Sequence, residues 1–84
     1  MTVASQRVIK RSLVIAGHAT SISLEEEFWQ ALRRFADARS MSVAALVAEI
    51  DSAGRSTNLS SALRVFCLRE ALRTNSEAER SAVG

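Results

Sequence analysis

Proline is absent from this 84-residue chain, glycine occurs three times, and cysteine and histidine once each. With so little proline and glycine there is no linker of the kind that separates two domains, and no internal repeat is present. The length fits one domain. A lone Cys67 excludes an intrachain disulfide and points to a reducing cytoplasm. It stands in the apolar run Val65-Phe66-Cys67-Leu68, the setting of a buried structural thiol. One histidine and one cysteine, far apart, do not make a metal site within a chain. There is no glycine-rich phosphate loop, no His-Glu-x-x-His, no Cys-x-x-Cys and no nucleophile beside a base, so no enzyme activity and no cofactor are expected. The apolar run Leu13 to Ala16 is too short for a secretion signal and leads into polar His18, Thr20 and Ser21; no stretch is long enough to span a membrane.

Acidic residues are missing from the first 24 positions, which carry Arg7, Lys10 and Arg11, whereas the remainder has 8 basic and 9 acidic residues within an overall charge of +2. The basic excess therefore sits at the N-terminal end, which points to a polyanion partner, although a solvated basic segment has the same composition. The chain is 48% hydrophobic, much apolar surface for so small a monomer to bury. A symmetric dimer is the expected remedy.

Residues 1–9 show no clear period and are expected to form a flexible arm. From Val8 to Leu24 the chain is rich in Val, Ile, Thr and Ser, the composition of a strand. Gly17 divides this region. After it Thr20, Ile22 and Leu24 share one face and Ala19, Ser21 and Ser23 the other. Before it Leu13-Val14-Ile15 is apolar on both faces, so Lys10–Ala16 is either a separate strand or an extension past a bulge. Ser23 followed by Glu25 and Glu26 reads as a capping box opening a helix with Phe28, Leu32, Phe35 and Ala36 at helical spacing. Trp29 flanks that stripe and is expected in the core. Arg33 and Arg34 have Glu26, Glu27 and Asp37 as helix neighbours, so intrahelical pairing is expected.

Ser42 reads as the N-cap of a second helix that buries Val43, Leu46, Val47 and Ile50 and ends at Ala53-Gly54. After the link Arg55-Ser56-Thr57, Asn58 caps a third helix closing the core with Leu59, Leu63 and Phe66. Its basic residues Arg64, Arg69 and Arg73 read as a solubilising face. The polar segment 74–84 is expected to be disordered, which leaves 10–73 as the domain. A lone strand cannot leave its backbone unpaired, so the strand is expected to pair with its copy in a second chain.

This order, with Gly17-His18-Ala19-Thr20-Ser21-Ile22-Ser23-Leu24-Glu25 followed by Phe28-Trp29, resembles the ribbon-helix-helix family of the Arc and MetJ type. More narrowly it resembles a bacterial subgroup in which a third helix, here opened by Asn58-Leu59-Ser60-Ser61-Ala62-Leu63-Arg64, is regular. The resemblance spans about Lys10 to Arg73. It implies a mainly α fold with a short β ribbon, an intertwined homodimer, and a transcription regulator that inserts the ribbon into the major groove of double-stranded DNA. It further implies that Ala19, Ser21 and Ser23 face the bases. The first turn of the second helix, Ser42, Val43 and Ala44, would grip a phosphate through backbone amides. Ile22, Leu24, Phe28, Leu32, Phe35, Leu46, Val47 and Ile50 would form the dimer core. Many relatives carry a basic residue where this chain has Ala19, so Lys10 and Arg11 are expected to supply the phosphate contacts. The alternative is a protein-interaction module, docking a partner through the third helix, or an antitoxin-like protein. His18 is read as a structural residue beside Gly17.

Overall fold

The structure, a computed structural model, describes residues 7–54 and 58–83. Most of the expected N-terminal arm and the link Arg55-Ser56-Thr57 lie outside the described residues. The elements follow in the order β1 (Val8–Ile15), β2 (His18–Glu25), α1 (Glu26–Ala38), α2 (Val43–Gly54) and α3 (Leu59–Val83).

The alternative left open before Gly17 resolves to a separate strand. β1 and β2 pair antiparallel in a continuous register from Ile15 opposite His18 to Val8 opposite Glu25. The turn consists of Ala16 and Gly17, both with positive φ (52° and 84°), the handedness that matches the twist of a tight hairpin. β2 thus finds within its own chain the backbone partner expected from a second copy, and unpaired strand groups alone no longer require a dimer.

The hairpin alternates cleanly. Ile9, Arg11, Leu13 and Ile15 of β1 and Thr20, Ile22 and Leu24 of β2 turn toward the helices. Ile15, Ile22 and Leu24 join Trp29, Leu32 and Ala36 of α1, Leu46 and Val47 of α2, and Leu63 and Cys67 of α3 in one buried core. Phe28, Phe35, Val43, Ile50, Leu59 and Phe66 pack against it half-buried. Phe35 and Phe66 meet edge to face, ring centres 6.0 Å apart.

Helix ends follow local chemistry, with one correction. Ser42 Oγ accepts from the Ala45 N–H at 3.0 Å and Asn58 Oδ1 from the Ser61 N–H at 3.1 Å, so both expected N-caps form. The expected capping box does not. α1 begins at Glu26 behind an extended Glu25 that makes no side-chain cap, because β2 stays extended through Glu25 opposite β1 and Ser23 lies within the strand. α1 ends with Ser40 in the left-handed conformation (φ 57°). The Met41 N–H returns to the Ala36 carbonyl and the Ser40 N–H to that of Asp37, a Schellman closure without glycine. α3 continues to Val83, past Arg73 where a disordered segment was expected. The Glu70–Arg73 ion pair and the Thr74 hydroxyl, which donates to the Glu70 carbonyl, carry the helix over that point.

Candidate nucleic-acid interface

The ribbon face turned away from the helices is built by alternation. Residues directly opposite in an antiparallel pair share a face, their Cβ atoms about 5 Å apart. Lys10 therefore stands beside Ser23, Ser12 beside Ser21, and Val14 beside Ala19. Ala19 and Ser21 are exposed and Ser23 half-buried, so the three strand positions expected to face outward do so. Lys10, Ser12 and Val14 are exposed as well. Among the described residues no ion pair engages the Lys10 ammonium. Those residues give the face one cation and three hydroxyls, with methyl groups at the turn end.

Lys10 and Arg11, expected to act together, lie on opposite faces. Arg11 is on the helix side, its guanidinium 5.5 Å from the centre of the Trp29 ring and 3.5 Å from Glu26 Oε1. The Trp29 indole N–H donates to the Ile9 carbonyl at 2.9 Å, pinning α1 to β1. Trp29 is only 4% exposed, the core residue it was expected to be. Arg11, Leu13, Trp29, Arg33 and Val43 line a cavity of about 210 Å³. Two of the expected phosphate-contact residues, Arg11 and Val43, come together there. Arg33 joins them and was missed, having been read as an intrahelical partner of acidic neighbours. Ser42 sits at the head of the same helix, its hydroxyl occupied as N-cap. The N–H groups of the first helical turn have no intrahelical acceptors, and the helix dipole adds positive potential. The cavity therefore brings two arginines and the first residue of α2 to one place.

Ser12 was also missed. Its signal was the alternation of Lys10 and Ser12 with Ile9, Arg11 and Leu13, legible only once β1 is recognised as a strand. His18, beside Gly17 at the start of β2, is exposed, and its carbonyl accepts from the Thr20 hydroxyl at 3.4 Å.

On the far side of the domain, Glu27, Phe28, Ala31, Phe35, Arg64, Val65, Cys67, Leu68 and Ala71 line an apolar groove of about 460 Å³ between α1 and α3. Leu68 and Leu72 stand more than half exposed beside it. Burial pushes the Cys67 thiol up to about 11, which keeps it protonated. Ion pairs at two carboxylates hold α3. Glu25 accepts from Arg64 Nε and Nη2 at 3.0 and 3.4 Å, and Glu70 lies 3.1 Å from Arg39 and 2.8 Å from Arg73. Its own backbone N–H and then Arg64 hold the Glu25 carboxyl below its ordinary value. Arg73, and then Arg39, do the same for Glu70 against the opposing effect of burial. Among the described residues no group of three His, Cys, Asp or Glu could hold a metal ion, and no helix is long and apolar enough to cross a membrane.

A two-stranded antiparallel ribbon with one face on a helical core and the other polar and open defines a ribbon-and-helices domain. The family model of the ribbon-helix-helix domain matches residues 8–71, and the chain belongs to that family. Its members are regulatory proteins that generally bind DNA, as transcription regulators or antitoxins. The solved structure of an uncharacterized protein from Bordetella pertussis Tohama I is similar, with a TM-score of 0.75 and 35% sequence identity. The match covers 87% of this chain and 62% of that one, so this chain spans less than two thirds of its neighbour's length. No curated protein matches the chain.

Proposed function

We propose that the chain is a dimeric DNA-binding transcription regulator, not an enzyme, that works in the cytoplasm without a cofactor. Its ribbon lies in the major groove of double-stranded DNA. The observation that carries this reading is the cross-strand row on the open face, Lys10 beside Ser23 and Ser12 beside Ser21. Ser12, Ser21 and Ser23 meet base edges and Ala19 lies against the groove at the turn end. A hydroxyl discriminates weakly; bidentate guanine contacts come from an arginine fork or a lysine ammonium. Lys10 supplies the charge absent at Ala19. Arg11 and Arg33, with the backbone of Ser42, Val43 and Ala44, take a flanking phosphate in their shared cavity. The half-buried Phe28, Phe35 and Ile50, beside buried Ile22, Leu24, Leu32, Leu46 and Val47, give a second copy an apolar surface to cover.

The test is fluorescence-anisotropy binding to random-sequence duplex DNA across a salt series. Affinity is expected to fall steeply with salt, and Lys10→Ala to lower the slope of log K against log salt by about 1 for each phosphate contact it removes. Arg33→Ala is expected to weaken binding alike on every sequence. No binding even at low salt would sink the proposal. A second reading, a protein-interaction or antitoxin-like module that docks a partner through α3, is favoured by the open groove between α1 and α3. It would gain from a failure to bind DNA.

A further inference from the structure

A hairpin closed by a two-residue turn sets the direction of every backbone group beyond it. The closing pair Ile15–His18 exchanges both hydrogen bonds, and hydrogen-bonded and non-bonded pairs then alternate along the ladder. The bonded pairs are 13–20, 11–22 and 9–24, and the Glu26 N–H reaching the Arg7 carbonyl at 3.3 Å continues the series. The N–H and C=O groups of Ala19, Ser21, Ser23 and Glu25 consequently point away from β1, to the open edge of β2. Two of those groups are engaged, the Glu25 N–H by its own carboxylate and the Ser23 carbonyl by α3. The Ser60 hydroxyl, in the first turn of α3, donates to the Ser23 carbonyl at 2.9 Å. One turn further along α3, Arg64 grips the Glu25 carboxylate and lies 5.9 Å from the centre of the Phe28 ring. α3 is therefore seated against the C-terminal half of the β2 edge, while Ala19 and Ser21 remain open.

We propose that the first turn of α3 and the β2 strand of a second copy compete for this stretch of edge, so that its release is coupled to formation of the full ribbon. The inference rests on the dimer reading above. Symmetric antiparallel pairing centred on Ser21 sets Ser23 against the partner's Ala19, whose N–H needs the carbonyl that Ser60 holds. A carbonyl has two lone pairs, but a helical turn at hydrogen-bond distance also fills the lane, about 4.8 Å away, in which a neighbouring strand runs. The Ser60 and Arg64 contacts thus guard the edge in the single chain, a protection that exposed strand edges need against unwanted pairing. A dimer can begin over Ala19 and Ser21, and extending it through Glu25 requires the turn to lift.

Ser60→Ala and Arg64→Gln test this in the full chain, neither residue lying on the open ribbon face. Losing the single Ser60 bond shifts the seated–released equilibrium about fivefold per chain, and two chains must open, so Ser60→Ala is expected to tighten dimerisation on the order of twentyfold and Arg64→Gln, which gives up two bonds to Glu25, at least as much. Sedimentation equilibrium over a concentration series reads the dissociation constant, and circular dichroism establishes that each variant is folded. If one variant fails to fold, the other decides. A wild-type dimer whose constant stays the same or weakens in a folded variant overturns the inference and leaves the dimer reading standing. A chain that remains monomeric in all forms at every concentration overturns both.

Discussion

At the scale of single residues, side chains with mixed character carry most of the specific chemistry. Trp29 buries an apolar ring in the core and spends its one polar atom on the Ile9 carbonyl, linking helix to strand. Trp29→Phe keeps an aromatic side chain but gives up the indole bond to a carbonyl that the Leu24 N–H still reaches across the ladder, so the chain is expected to lose about 0.5–1.5 kcal/mol of stability in urea unfolding. A loss near zero would show that water replaces the indole and that the contact does not hold the ribbon. Arg11 shows that residue type alone does not place a side chain. Its charge set it beside Lys10 in the sequence, yet the alternation of Ile9, Arg11, Leu13 and Ile15 turns it to the other face, where it lies over Trp29 and beside Glu26. The neighbouring Lys10 takes the outward place by the same rule. Which of two adjacent basic residues meets solvent depends on the phase of the strand, and that phase is invisible until the strand's partner is known.

At the scale of elements, the boundaries that were legible are those written in local chemistry. Ser42 and Asn58 each place a side-chain acceptor three residues ahead of the N–H it satisfies, and both helices start as read. Ser23 carries the same signal, but pairing with β1 keeps β2 extended through Glu25; a tertiary pairing overrode a local motif. The end of α1 had no glycine to announce it, and Ser40 adopts the left-handed conformation. Since that conformation costs a non-glycine residue about 1–2 kcal/mol, Ser40→Gly is expected to stabilise the domain by about 0.5–1 kcal/mol after glycine's own entropic penalty. Thermal and urea unfolding measure it. Equal or lower stability in the variant would mean that serine is not strained there. α3 runs past Arg73 to Val83, where Glu, Ala and Arg are good helix formers and Glu70–Arg73 pair one turn apart.

At the scale of the whole molecule, α3 is joined to the rest of the domain by two carboxylates as well as by its apolar stripe. Glu25 binds Arg64 from β2, and Glu70 binds Arg39 at the end of α1. Both carboxyls titrate below the ordinary value of 4.5 in the folded chain. A group whose folded value is depressed gives stability that is present above its unfolded value and lost as pH falls through the folded one. The melting temperature is therefore expected to hold steady down to about pH 5 and to decline below about 4.5. The double variant Glu25→Gln, Glu70→Gln is expected to start lower and to flatten that decline. An identical acid profile in wild type and variant would place the sensitive groups elsewhere. The family and the outward positions Ala19, Ser21 and Ser23 were legible because alternation and a strand-to-helix order survive in one dimension. The cavity that gathers Arg11, Arg33 and Val43 was not, because it joins three elements whose docking only the fold determines.

The single tryptophan has a practical consequence. It sits at the joint between ribbon and helices, bonded to a strand carbonyl and facing a guanidinium. Its emission is a built-in optical gauge of that joint. Detachment of the hairpin should move the spectrum to the red while the helices still report as helical by circular dichroism, so ribbon release and global melting can be followed separately in one unlabelled sample.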